Sequence, residues 1–83
     1  MTKAQEQDYL KLIEAMKNQG GNYDTDLIKR AYEYCVRYHA GQKRASNEEY
    51  YTHPLNVAII IVSLGMDSQS VAAALLHDVV EDT

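Results

Sequence analysis

Eighty-three residues, 46% of them hydrophobic, with one proline and a formal net charge of −4, describe one small folded domain and exclude a disordered or low-complexity chain. The size is near the lower limit at which a single core holds without metal, disulfide or partner chain. The acidic balance speaks against a general nucleic-acid surface, which requires clustered excess Lys and Arg. The longest apolar runs, residues 57–62 and 71–76, are too short to span a bilayer, and the opening MTKAQEQDYL has no signal-peptide core. A cytoplasmic protein is therefore expected. The lone Cys35 has no second cysteine to pair with and reads as a core thiol.

In chain order, the pattern predicts helices only. Tyr9, Leu12, Ile13 and Met16 recur at helical spacing until Gly20-Gly21 ends the first helix. The second opens at Asp24 or Thr25, either of which can cap free amides, and places Leu27, Ala31, Cys35 and His39 on one face before Gly41 stops it. His39 is read as a residue of that face. The segment QKRASNEEYYT has no helical period and reads as an ordered loop. His53-Pro54 opens a third helix, with proline at its first position and His53 at its mouth. That helix is apolar on nearly every side through Val62 and reads as central and buried. A fourth, capped by Asp67 or Ser68, carries the apolar residues 71–76 and then HDVVEDT.

The polar end of this last helix is where chemistry is expected. At about 100° per residue, His77 and Glu81 project about 40° apart, Asp78 about 100° from His77 and Asp82 about 140° from it. The four share one arc. Carboxylates clustered beside an imidazole behind an apolar run need pairing or a cation. Imidazole nitrogen with carboxylate oxygen suits zinc, iron or manganese. A helix end emerging into solvent would show the same switch from apolar to charged, although three acids there oppose the helix dipole. Spacing alone leaves both readings open.

The segments HAGQKR, YYTHP and AAALLHDVVEDT, in this order, resemble the N-terminal hydrolase domain of the RelA/SpoT family of alarmone enzymes, a branch of the HD-domain metal-dependent phosphohydrolases. The resemblance runs from about residue 26 to residue 83. It implies an all-α HD-domain fold and a manganese ion held by His53, His77 and Asp78, with a further aspartate far downstream that has no counterpart in this sequence. It gives Glu81 and Asp82 to the attacking water and Arg44 to the guanine base. Lys43 is a candidate phosphate contact beside Arg44. The implied reaction removes pyrophosphate from the 3′ position of guanosine tetra- or pentaphosphate, returning GDP or GTP and ending the stringent response.

The loop departs from the family's frequent RKSGEPYIIHP. Ala45 stands where that pattern has a basic residue, Asn47 where it has glycine and Glu49 where it has proline. Ser46 and Tyr50 are the nucleotide-contact candidates left in it. Because the family's domain continues through further helices, residues 1–83 read as its N-terminal part, expected to be inactive alone. It is also expected to self-associate through apolar faces at residues 59–62 and 71–76 left uncovered. Two other readings stand beside this one: a non-catalytic nucleotide-binding or regulatory module, and an HD phosphohydrolase acting on another nucleotide.

Overall fold

Three of the four helices begin where a small polar side chain receives the first free amides. The computed structural model describes residues 1–81, the side chains of Val80 and Glu81 excepted. It contains α1 (Lys3–Gln19), α2 (Thr25–Tyr38), α3 (Thr52–Ser63) and α4 (Ser68–Glu81). The described residues form no strand, only a lone antiparallel bridge between Lys43 and Glu49. The architecture is all-α, as the pattern predicts.

Thr2 and Gln5 close a reciprocal cap on α1: the Gln5 amide donates to Thr2 Oγ1 at 3.1 Å, and the Thr2 amide donates to Gln5 Oε1 at 2.8 Å. Gly20 ends α1 at φ +76°, a left-handed turn that costs glycine nothing. Asp24 caps α2 by accepting the Leu27 amide at 3.1 Å, and its own amide donates to Ser68 Oγ at 2.8 Å. Of the two candidate caps for α4, Asp67 does the capping, through the Ser70 amide at 2.8 Å. That amide and the Ser70 hydroxyl hold the Asp67 carboxyl below its ordinary range. Ser68 is thereby left to tie the start of α4 to the start of α2.

The third helix starts earlier than its proline suggests. Thr52 is its first residue, so Pro54 occupies the third position rather than the first. The amides of Thr52 and His53 donate to the Glu49 and Tyr50 carbonyls, Pro54 has none, and Leu55 returns to Tyr51. Every first-turn donor is therefore accounted for without a side-chain cap.

Helix α4 packs against both α2 and α3, and α1 packs against α3. The centre is built from Leu12, Ile28, Tyr32, Cys35, Leu55, Ala58, Val62, Val71 and Leu75, all essentially inaccessible. Two expectations need correction. The α3 helix is not buried on all sides, since Ile60 is 57% exposed and lies away from both neighbours. The run at residues 71–76 is mostly closed: Val71, Ala72, Ala74 and Leu75 are buried and only Ala73 is exposed, with α4 packed against α2 and α3. A helix wedged between two others buries a wide arc, so a broad apolar pattern on α4 is satisfied within these four helices.

Candidate metal centre

Two helices bring the site together. His53 sits in the first turn of α3, while His77 and Asp78 lie near the end of α4, and α3 packs directly on α4. One ligand atom from each of the three residues falls within 4.8 Å of the others. The two imidazole centroids are 6.0 Å apart, and all three residues are partly accessible. This is the only group of three or more such side chains able to hold an ion among the described residues.

The hydrogen bonds of His77 fix how its ring is presented. Its Nδ1 lies 2.6 Å from the Ala74 carbonyl, one turn back, and because a carbonyl can only accept, Nδ1 carries the proton. In the neutral ring this leaves a lone pair on Nε2, which faces Asp78 Oδ1 at 3.1 Å. Two acceptors at that distance need a shared proton or a cation. Two donor atoms about 2.1 Å from one ion and at right angles to each other would lie about 3 Å apart. A backbone carbonyl fixing the far nitrogen is also the usual way a metal-binding histidine is oriented. The donor set of this pair and His53 therefore fits a divalent ion.

Asp78 is held from its other side as well. Its Oδ2 accepts the Tyr50 hydroxyl at 3.0 Å. Beneath it, Cys35 is buried and free, as the sequence indicates. Burial first, and the Asp78 carboxylate second, push its thiol up to about 12, and its sulfur is not among the atoms that group together at the site.

The loop candidates are distributed differently. Lys43 Nζ pairs with Glu49 Oε1 at 3.1 Å across the bridge, and the Ser46 hydroxyl donates to Glu48 Oε1 at 3.1 Å. Arg44 is exposed and uses its backbone amide on the Glu48 carbonyl. None of these three is joined to the His53, His77 and Asp78 group by a hydrogen bond or ion pair, whereas Tyr50 is. Asn47 adopts φ +71°, the left-handed region that asparagine tolerates better than other side chains. The turn a glycine would make is thus preserved. The Glu81 side chain and Asp82 lie outside the described residues.

His39 is buried at 2% exposure, outside the three-residue cluster, as a helix-face reading expects. Sequence reasoning missed its contact with Tyr50, whose ring lies 4.7 Å away, and the bond from Tyr50 to Asp78. The three-residue spacing of Tyr50 and His53 was the available signal, since it puts them on one side of a turn. A groove of about 760 Å³ lies elsewhere, between the start of α1 and the outer face of α2, and shares no residue with the cluster.

The family model for the HD domain matches residues 31–83, which include the whole cluster. The chain belongs to the HD-domain family. Its similarity within that family is to RelA/SpoT-type proteins. It is 40% identical over 72 residues to the GTP pyrophosphokinase rsh of Brucella ovis, covering 87% of this chain and 10% of that protein. It is 53% identical over 60 residues to the bifunctional (p)ppGpp synthase/hydrolase RelA of Mycobacterium tuberculosis, covering 72% of this chain and 8% of that protein. It is 55% identical over 56 residues to a GTP pyrophosphokinase of Streptomyces coelicolor, covering 68% and 7%. The chain thus spans about a tenth or less of the length of these curated relatives. No solved structure matches it significantly. In this HD domain, His77 and Asp78 are the adjacent pair, and no described helix is long and apolar enough to cross a membrane.

Proposed function

We propose that this HD domain holds a divalent ion, manganese by family resemblance, and serves hydrolysis of the 3′-pyrophosphate of guanosine tetra- or pentaphosphate in the stringent response. The observation that carries the reading is the grouping of His53, His77 and Asp78, one ligand atom from each lying within 4.8 Å of the others. An ion there lowers the pKa of bound water and neutralises phosphate charge. His53, His77 and Asp78 supply three donors, and the family's pattern places a fourth further along its domain.

In this reading Glu81, one helical turn beyond His77, and Asp82 orient the attacking water and take its proton. Arg44 meets the guanine base, with Lys43 and Ser46 beside it for phosphate and Tyr50 closing the loop toward the site. The Lys43 to Glu49 pair is half-exposed on both sides, so it yields to a phosphate at little cost. The nucleotide, rather than a nucleic acid or a membrane, is the partner expected in the cytoplasm.

Two assays test this. Manganese binding to the chain is expected, and is expected to vanish in His77→Ala and Asp78→Ala. A chimera carrying this chain in place of the matching segment of the Mycobacterium tuberculosis relative is expected to release pyrophosphate from guanosine tetraphosphate when manganese is present. Both substitutions should lower that rate by at least about 10³-fold, since they remove the water-activating centre. Manganese binding unchanged by both substitutions would refute the site. An inactive chimera that still binds manganese would refute the substrate.

A further inference from the structure

Tyr50 is clamped more firmly than a loop residue waiting for a nucleotide needs to be. Its ring lies 4.7 Å from the buried His39 imidazole and 6.0 Å from that of His53, edge-on to the latter. Its amide donates to the Gln42 carbonyl at 3.0 Å. His39 is itself anchored, with Nδ1 on Gln42 Oε1 at 3.1 Å. A ring held between two imidazoles and tied at its backbone places its hydroxyl on Asp78 Oδ2, at 3.0 Å.

This bond divides the labour of the Asp78 carboxylate. Oδ2 faces the phenol while Oδ1 faces His77 Nε2 and the cluster. The last torsion of an aspartate is broad, so without a partner on one oxygen the group rotates easily and either oxygen can face the ion. We infer that Tyr50 is a positioning residue of the metal centre: its hydroxyl, held by the ring's contact with His39, fixes Asp78 so that a single oxygen is presented to a divalent cation. The inference rests on the metal reading above and extends it to a residue that sequence reasoning assigned to nucleotide contact.

The test is manganese affinity, followed by the loss of the free-ion electron paramagnetic resonance signal, for the unsubstituted chain, Tyr50→Phe, Tyr51→Phe and His77→Ala. Tyr50→Phe keeps the ring and removes only the hydroxyl. Groups that orient a metal ligand typically carry 10- to 100-fold in affinity, so a loss of about tenfold or more is expected, with the unfolding midpoint in chelator nearly unchanged. Tyr51→Phe makes the same chemical change one residue on, where the hydroxyl serves Asp8; it should lower the midpoint and leave affinity alone. Affinity within about twofold of the unsubstituted chain in Tyr50→Phe, or an equal loss in Tyr51→Phe, overturns the positioning role. If the unsubstituted chain binds no manganese, or His77→Ala binds as tightly, the metal reading itself fails, and the positioning role with it.

Discussion

Cys35 shows how burial at a single residue is converted into pH dependence. Its thiol is pushed from an ordinary value of 9.0 up to about 12, by burial and then by Asp78. An acid with a raised folded pKa holds its proton in the folded state after the unfolded chain has lost it. The stabilisation is complete below pH 9 and is lost as pH climbs toward 12, at about 1.4 kcal/mol per unit for one group. Tyr32 and Tyr51, also raised by burial, act in the same direction at higher pH. Cys35→Ala should therefore be less stable at pH 7, by about 1 to 2 kcal/mol for the lost packing. Its urea midpoints should then fall more gently between pH 9 and 11, by the slope of one proton. Parallel slopes in the two proteins would show that the thiol ionises equally in both states. At this scale helical spacing put His77 and Asp78 on one arc, a local feature, while His53 was joined to them only by the family resemblance. Tyr50 on Asp78 joins residues 28 apart, and Tyr51 on Asp8 joins residues 43 apart; no periodicity encodes such pairs.

Among the elements, caps decide more than propensity. Asp24 closes α2 through the Leu27 amide and also offers its own amide to Ser68 at the start of α4. Substitution acts on the first bond and leaves the second, which is made by backbone. Asp24→Ala should cost about 1 kcal/mol in chemical denaturation and Asp24→Asn only a few tenths, because asparagine caps nearly as well. Equal losses in the two would mean that the Asp24 charge, not the cap, is what matters. The four helices were legible from their apolar spacing, from Asp24, a proline and Asp67 at three of the starts, and from the glycines that follow three of them. The misplaced start of α3 has a specific cause. The Glu49 and Tyr50 carbonyls accept the Thr52 and His53 amides, extending helical geometry two residues upstream of Pro54. Nothing in the residue types of QKRASNEEYYT specifies that its last turn already belongs to the helix.

For the molecule as a whole, the question is how much apolar surface four helices can close. The radius of gyration is 12.0 Å, against about 11.8 Å for a compact domain of this length, so α1 to α4 form a packed unit and α4 is covered on both flanks. Among the described residues, the exposed apolar side chains that fall together lie at the end of α3. Ile60 is 57% exposed and Leu64, one turn on, 69%, with Met66 at 45% in the following turn. Residues four apart stack on one side of a helix, so Ile60 and Leu64 make a continuous strip rather than scattered contacts. Such a strip gains by being covered, and in solution the readiest cover is a second copy. Light scattering at rising micromolar concentration should show the average mass increasing for the unsubstituted chain. It should stay at the monomer value for the double substitution Ile60→Lys, Leu64→Lys, which leaves the buried Leu55, Ala58 and Val62 side of α3 untouched. A monomeric unsubstituted chain across the same range would mean that two exposed side chains fall short of the area that association needs. Association that persists in the double variant would place the contact on another face, of which the exposed Leu10 on α1 is the next to substitute.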